Sequence, residues 1–261
     1  MGKTSFKRFS QLTSRGKGMR YAIVSDIHSN LEALKGVLEE IERRGVDDII
    51  CLGDLVGYGA DPNAVIELAL EKGFRCIMGN HDLTACGMEE PYNFNPWARE
   101  AIIWTRRVLT EANRQFLKSL SFKLNLSDGC LAVHGSVDSV YDYIFSRSDA
   151  LYNFDLLKAS GERLCFFGHS HYQGVFIKDG EHITLRVVDE LAISPERLYL
   201  VNPGSVGQPR DGDPRSSFAV YDDGEEKISF IRVDYDIKTA ARKILKTGLH
   251  PFLAERLFNG M

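Results

Sequence analysis

Five short apolar runs in this sequence are each followed within two residues by Asp, Asn or His, and this arrangement constrains the fold more than any other feature. Tyr21–Val24, Ile49–Leu52 and Arg75–Met78 are separated by helix-type segments, which is typical of βαβ units and a mainly parallel sheet. Two further runs, Leu131–Val133 and Leu164–Phe167, come later. Ligands bind at the carboxyl ends of strands in such sheets, so we expect the polar residues after the runs to converge in one crevice.

Local signals complete the outline of one α/β domain. Ser29 and Glu32 have the spacing of a capping box at the start of a helix, and Gly45 is placed to end that helix. After residue 173 short apolar runs alternate with turn dipeptides, and we expect these C-terminal strands to form a second sheet packed on the first. Residues 19–261 are predicted to form the domain, after a disordered basic tail at residues 1–18.

The polar residues after the five strands are suited to divalent metal ions. Carboxylate oxygens, imidazole nitrogens and an amide oxygen favour Mn²⁺ or Fe, with Ni, Co and Zn as alternatives, and no thiolate is in the set. There are too many such residues for one ion, whereas two ions that share a bridging carboxylate would use them. Each motif alone is a common turn or cap sequence, but the ordered set, one at every strand end, indicates a function. The motifs are Asp26-Ile27-His28, Gly53-Asp54, Gly79-Asn80-His81-Asp82, His134-Gly135 and Gly168-His169-Ser170-His171.

This ordered set, DxH, GD, GNH, H and GHxH, resembles the calcineurin-like metallophosphoesterase superfamily over about residues 19–235. The segments 53–59 (GDLVGYG), 61–66 (DPNAVI) and 202–210 (NPGSVGQPR) resemble its small prokaryotic phosphodiesterase branch. The resemblance implies an α/β fold of four layers, an αββα sandwich in which two mixed β-sheets pack face to face and helices flank them.

The resemblance also implies a role for each motif residue. Seven residues would bind two metal ions: Asp26, His28 and His171 the first ion, Asn80, His134 and His169 the second, with Asp54 as the bridge. His81 matches the family's catalytic histidine, which contacts the phosphate and protonates the leaving oxygen. Two divalent ions, Mn²⁺ in first place, are therefore the expected cofactors, and His81 and Asp54 are the expected catalytic residues.

Two positions depart from the serine/threonine phosphatases and the symmetrical diadenosine tetraphosphate hydrolases of this superfamily. Those enzymes carry GDxxDRG-like or GDxxxRG motifs, whereas Gly53–Gly59 contains no Arg to clamp a terminal phosphate, which argues against a protein phosphatase. The carboxylate that orients the catalytic histidine in those phosphatases would fall at Gly57. Asp82, next to His81, either supports the site or is merely structural.

These residues predict a metal-dependent hydrolase, a phosphodiesterase in which a metal-bridging hydroxide attacks phosphorus in line and His81 assists the departing oxygen. The alternatives are an asymmetrical dinucleoside polyphosphate hydrolase or a phosphatase, and a non-catalytic scaffold with this fold. The substrate would be a small phosphodiester or nucleotide, with Arg210 and Tyr58 as candidate contacts. Aromatic side chains within residues 135–148 could stack a nucleobase or simply pack within the protein.

Charge and cysteine content limit the partners and the location. Residues 1–20 carry six basic groups and no acidic one, which leaves 26 basic against 36 acidic groups in the rest of the chain. An acidic body without an added DNA-binding domain argues against a stable nucleic-acid partner. No apolar run approaches the roughly 20 residues that span a membrane. The five cysteines form no CxxC pair and are interpreted as buried reduced thiols, which is typical of a cytoplasmic protein.

Overall fold

Strands and helices alternate in the order that the sequence signals predict. The computed structural model describes residues 18–127 and 129–261, so the predicted tail at residues 1–18 lies, except for Gly18, outside the described residues. The first half contains β1 (Arg20–Val24), α1 (Leu31–Arg44), β2 (Asp48–Cys51), α2 (Pro62–Glu71), β3 (Arg75–Cys76), α3 (Asn80–Ala85), α4 (Pro96–Val108), α5 (Glu111–Lys118), β4 (Lys123–Ser127) and β5 (Cys130–Val133). The second half contains α6 (Arg147–Ser160), β6 (Leu164–Phe166), β7 (Gly174–Asp179), β8 (His182–Arg186), β9 (Glu190–Ala192), β10 (Leu198–Asn202), β11 (Ser216–Asp222), β12 (Lys227–Val233), α7 (Ile237–Thr247), α8 (Phe252–Glu255) and a 3₁₀ turn (Arg256–Phe258).

The strands of the described residues form two mixed six-stranded sheets. The first has the order β3-β2-β1-β11-β12-β9, with β1, β2 and β3 parallel and β11 antiparallel to β1. The second has the order β4-β5-β6-β10-β7-β8, with β5, β6 and β10 parallel. The expectation that the C-terminal strands form the second sheet is wrong for β9, β11 and β12, which complete the first sheet. They do so because β2 covers one edge of β1 only, and the other edge needs a partner for its N–H and C=O groups.

Alternating side chains along the central strands assign the layers. In β1, Ile23 belongs to the apolar core between the two sheets, whereas Val24 belongs to the core that the first sheet shares with α1 and α2. In β5, Ala132 faces the first sheet and Leu131 faces α6. Helix, sheet, sheet and helix therefore form the predicted αββα sandwich. Burial on both faces explains why these strands are continuous apolar runs in the sequence.

The start of α1 differs from the prediction by one residue. Asn30, and not Ser29, caps the helix, since Oδ1 of Asn30 accepts a hydrogen bond from the N–H of Ala33 at 3.1 Å. Ser29 has a φ of +55° and belongs to the turn that carries two of the predicted metal ligands. Gly45 ends α1 with a φ of +60°, as predicted.

All five cysteines are free thiols, and four are buried while Cys76 is partly buried. No helix among the described residues has both the length and the apolar character needed to cross a membrane.

Candidate metal centre

All seven predicted metal-binding side chains come together at the carboxyl ends of five strands. Two groups each have ligand atoms within 4.8 Å of one another: Asp26, His28 and His171 in the first, and Asp54, His134 and His169 in the second. Asn80 joins the second group, because its Oδ1 lies 3.0 Å from Nε2 of His134. A third such cluster, His28, Asp54 and His81, overlaps both groups and brings the predicted catalytic histidine to the same carboxylate.

Asp54 lies between the two groups. Its Oδ2 is 3.6 Å from Nε2 of His28 and 3.5 Å from Nε2 of His134. Its Oδ1 accepts a hydrogen bond from the N–H of His81 at 2.9 Å. Gly79 permits this close approach, since a Cβ at that position would lie 2.1 Å from Oδ1. A carboxylate that reaches one histidine of each group is placed to be shared by two ions.

Five of the seven predicted ligands have a left-handed backbone, which side-chain-bearing residues rarely adopt. Their φ angles lie between +49° and +62°: Asp26, His28, Asp54, His169 and His171. Such a conformation costs about 1–2 kcal/mol per residue, so surrounding hydrogen bonds must hold it. The N–H of His28 donates to the carbonyl of Asp54 at 3.0 Å. The N–H of His169 donates to Oδ2 of Asp26 at 3.1 Å, which ties the second sheet to the first.

Main-chain carbonyls determine which ring nitrogen of each histidine faces the centre. In three histidines Nδ1 contacts a carbonyl oxygen and Nε2 is left for a metal: His28 with Val56 (3.0 Å), His134 with Leu52 (2.8 Å) and His171 with Gln208 (2.6 Å). The His169 ring has the opposite orientation. Its Nε2 lies 3.0 Å from the carbonyl oxygen of Tyr141, so Nδ1 is the nitrogen left for a metal. Contacts of this kind orient metal-binding imidazoles and raise their basicity.

The donor atoms carry charges that a cation would compensate. Oδ1 of Asp26 and Oδ2 of Asp54 are buried and have no hydrogen-bond partner among the described residues. Nε2 of His28 lies 3.1 Å from Nε2 of His171, so two nitrogens face each other. Burial alone would raise both carboxyl pKa values, but neighbouring histidines, led by His171 for Asp26 and His134 for Asp54, hold each pKa well below its usual range. Anionic oxygens and imidazole nitrogens so arranged fit divalent metal ions.

Two histidines of the second group have pKa values shifted in opposite directions. Burial alone would lower the pKa of His134, but the Asp54 carboxylate raises it to about 9. Burial, and then the charge of His134, lower the pKa of His169 to about 3. Metal-binding imidazoles must be neutral, so binding of a metal by the second group near pH 7 would displace a proton from His134.

The predicted catalytic residue, His81, is held by aromatic packing and not by a carboxylate. Its ring contacts the rings of Tyr58, His28 and Phe94, with centroids 4.6, 4.7 and 4.9 Å away. Its Nδ1 is buried and has no hydrogen-bond partner in the described part of the chain. Gly57 faces this nitrogen, since a Cβ there would lie 2.3 Å from Nδ1. The position predicted for an orienting carboxylate thus does adjoin Nδ1, but it has no side chain.

Asp82 supports the loops around His81. Its carboxylate accepts hydrogen bonds from the N–H groups of Val56 (3.1 Å) and Gly79 (3.2 Å), which joins the loop after β2 to the start of α3. Burial, and then the charge of Asp54, raise the pKa of Asp82 to about 7. Both hydrogen bonds go to main-chain N–H groups of these loops and neither goes to the His81 ring.

A cavity of about 220 Å³ opens over Asp54 and His81. Both predicted substrate contacts, Arg210 and Tyr58, line it, and Nη2 of Arg210 lies 3.4 Å from the Tyr58 hydroxyl. Nε and Nη2 of Arg210 also donate to Oε1 of Gln208, at 3.3 and 2.9 Å. The forked edge of this guanidinium is therefore occupied within the protein.

Aromatic rings extend from one side of the cavity. Tyr143 stacks on His169 with centroids 4.0 Å apart, Phe145 stacks on Tyr143 at 5.2 Å, and Tyr172 meets Phe145 edge-on at 5.7 Å. Tyr143, Phe145 and Tyr172 are 45%, 51% and 47% exposed. These rings pack on one another, and each is still about half exposed to solvent.

Two residues beside the site had no individual signal in the sequence. Phe94 precedes α4 and packs edge-on against His81. Arg256 comes from the 3₁₀ turn near the end of the chain, and its Cζ lies 6.0 Å from the ring centroid of Tyr58. In the sequence, an Arg in a helical C-terminal segment looks like an ordinary surface residue, and only the fold brings it beside the site.

Two ligand groups that share one carboxylate, at the carboxyl ends of strands from both sheets, are the arrangement of a dinuclear metallohydrolase. Residues 19–225 match the family model of the calcineurin-like phosphoesterase superfamily domain. The chain belongs to this superfamily, as its ordered motifs predict, and membership supports a metal-dependent hydrolase.

Similar proteins cover nearly the whole chain. It is 40% identical over 245 residues to the uncharacterized protein MJ0912 of Methanocaldococcus jannaschii, which covers 92% of this chain and 97% of that protein. A metallophosphoesterase from Sphaerobacter thermophilus has a similar crystal structure, with a TM-score of 0.81 and 36% identity over 94% of this chain and 100% of that one. The hypothetical protein PH1004 from Pyrococcus horikoshii OT3 shares the fold, with a TM-score of 0.76 and 22% identity over 93% and 98% of the two chains. The predicted αββα fold is thus confirmed.

Proposed function

We propose that this chain is a phosphodiesterase that uses two divalent metal ions, Mn²⁺ in first place, to hydrolyse a small phosphodiester or nucleotide. The observation that carries the proposal is the position of Asp54, which reaches a histidine of each ligand group and the N–H of His81 beneath an open cavity. His81 and all seven candidate ligands are present, which favours an enzyme over a non-catalytic scaffold.

When bound, the two cations would neutralise phosphoryl oxygens and activate a water molecule. His81 would act on the leaving oxygen through Nε2, because its Nδ1 is buried against Gly57. Burial lowers the pKa of His81 to about 4. The negative charge of a bound phosphate opposes that shift, and so favours the protonated ring at the moment when a proton is needed.

The setting of Arg210 supports a diester over a monoester. A terminal phosphate is best held by a bidentate guanidinium, but two of the three nitrogens of Arg210 already donate to Gln208. Nη1 is the one nitrogen of this side chain without a protein partner among the described residues, so Arg210 alone does not present a free fork to a terminal phosphate. The exposed ring of Tyr143, which lines the same cavity, and the ring of Phe145 stacked on it offer apolar area to the group esterified to the hydrolysed phosphate.

Hydrolysis of bis-p-nitrophenyl phosphate and p-nitrophenyl phosphate by metal-stripped protein, with Mn²⁺ added back, tests the proposal. We expect Mn²⁺-dependent cleavage that favours the diester and is lost in Asp54→Asn. If neither compound were cleaved with Mn²⁺, Fe²⁺, Co²⁺, Ni²⁺ or Zn²⁺ despite measured metal binding, the scaffold alternative would replace the proposal.

A His81→Ala variant tests the proton donor separately from the metals. We expect normal metal content and a rate about 10²–10⁴-fold lower on a dinucleoside monophosphate, whose leaving alkoxide needs a proton. The loss on bis-p-nitrophenyl phosphate should be much smaller, because nitrophenolate leaves without one. A wild-type rate on the dinucleoside monophosphate would show that His81 does not have this role.

A further inference from the structure

Two arginine side chains face the same tyrosine ring beside the metal centre. Cζ of Arg210 lies 5.7 Å, and Cζ of Arg256 6.0 Å, from the ring centroid of Tyr58. Tyr58 is only 6% exposed and packs on His28 and His81, with centroids 4.7 and 4.6 Å away. The two guanidinium groups therefore lie one aromatic ring away from the proposed catalytic residues.

No described carboxylate side chain pairs with either of these positive charges. Within the described part of the chain, neither Arg210 nor Arg256 forms an ion pair with an Asp or Glu side chain. Nε of Arg256 donates to the main-chain oxygen of Met261, and both of its Nη atoms have no partner among the described residues. Burial, and then the charge of Arg210, lower the pKa of Arg256 to about 10. This is the direction expected for two cations held close together.

We propose that Arg210 and Arg256 bind a second phosphate group of the substrate, next to the phosphate that is hydrolysed. The inference rests on the proposed function, because it assigns the hydrolysed phosphate to the metal centre. Three guanidinium nitrogens, Nη1 of Arg210 and both Nη atoms of Arg256, are free of protein partners in the described residues. Guanidinium N–H groups bind phosphate oxygens in pairs, and Arg keeps its charge at any working pH. The substrate class is therefore a phosphoanhydride, or another phosphodiester with a neighbouring phosphate.

An Arg256→Gln variant tests the second phosphate site with two substrates. Diadenosine tetraphosphate carries phosphates beside the one that is cleaved, whereas bis-p-nitrophenyl phosphate has a single phosphate. We expect kcat/KM for the tetraphosphate, relative to that for bis-p-nitrophenyl phosphate, to fall on the order of 10- to 100-fold, mainly through KM, because a charged hydrogen bond to phosphate is lost. Comparing each variant with the wild type on the same substrate cancels the difference in leaving group. Arg256→Lys keeps the charge without the fork and should lose less.

Arg43→Gln is the matched control, because it removes the same charge from a side chain on α1 that is 67% exposed. We expect this variant to keep both wild-type kcat/KM values. An unchanged ratio of the two kcat/KM values in Arg256→Gln would overturn the second phosphate site, as would a wild type that cleaves bis-p-nitrophenyl phosphate but not the tetraphosphate. A wild type that cleaves neither compound would overturn the proposed function as well.

Discussion

Replacement of Gly57 by alanine tests whether the position of His81, and not only its presence, controls turnover. Gly57 has a φ of +99°, and an added Cβ would lie 2.3 Å from Nδ1 and 3.1 Å from Cγ of His81. Heavy atoms do not approach so closely, so the imidazole must move. It cannot move away from Gly57 without changing its contacts with Tyr58 and Phe94.

Two effects of Gly57→Ala can be separated. Alanine at a positive φ costs about 1–2 kcal/mol of stability at any site. Displacement of His81 adds a loss of activity, because a misplacement of about 1 Å can reduce a rate about 10²-fold. We therefore expect kcat on a dinucleoside monophosphate to fall about 10²-fold, which stays within the contribution of a general acid. Metal content should not change, since the three atoms nearest the new Cβ all belong to His81.

Gly161→Ala supplies the matched control for backbone strain. Gly161 has a φ of +81° and no atom within 4 Å of the position of a Cβ. Thermal unfolding, metal analysis and steady-state kinetics on both variants should show similar destabilisation, but lost turnover in Gly57→Ala alone. Equal kcat values for the two variants would refute the argument that packing positions His81. Loss of metal from Gly57→Ala would show that the substitution acts on the metal centre instead.

Two further predictions concern the metals. After dialysis, Asp54→Asn should retain less than half of the wild-type metal, because the shared negative charge is lost from both ligand groups. Elemental analysis measures this, and full retention of two ions would contradict the bridging role. The metal-stripped protein should lose stability between pH 6.5 and about 9, by at most about 1.4 kcal/mol per pH unit. The reason is that Asp54 outweighs burial and raises the folded-state pKa of His134 to about 9, so the folded chain keeps a proton that the unfolded chain releases. With Mn²⁺ bound, denaturant titrations should show no such fall in the free energy of unfolding with pH, because a metal-bound His134 is neutral. The same fall in the metal-stripped and the Mn²⁺-bound protein would be inconsistent with His134 as a ligand.

The clustering of the candidate metal ligands could be predicted from the sequence because these residues closely follow strands. Asp26 and His28 come at the end of β1, and Asp54 comes at the end of β2, its parallel neighbour. The register of two parallel neighbours brings their carboxyl ends together, so a short local pattern determines a spatial cluster. The three-dimensional grouping of ligands into two sets is consistent with that reasoning.

The sheet that receives each C-terminal strand could not be predicted in the same way. Ser216–Asp222 is an apolar run that would suit either sheet, and its place beside β1 depends on an open edge almost 200 residues earlier in the sequence. Strand propensity describes a half-buried pleated surface and does not name the partner. The short edge strand Lys123–Ser127 could not be predicted for a related reason, since five residues with only partial burial carry little periodic signal.

Arg256 and Phe94 show a second limit of sequence reasoning. Neither residue follows a strand or belongs to a motif, and each reaches the site only because separate helical segments pack around Tyr58 and His81. Such contacts depend on tertiary packing, so residue type and spacing contain no record of them.

Asp26 shows how the fold and the metal centre depend on each other. Its carbonyl accepts hydrogen bonds from Oγ of Ser205 (2.8 Å) and the N–H of Gly207 (2.9 Å), and its Oδ2 accepts the N–H of His169 from the second sheet. Its remaining oxygen, Oδ1, is buried without a hydrogen-bond partner among the described residues. A buried carboxylate oxygen without a hydrogen bond is unfavourable, so a cation at this position would stabilise the residue that connects the two sheets. Metal binding would therefore stabilise the contact between the sheets as well as assemble the catalytic site.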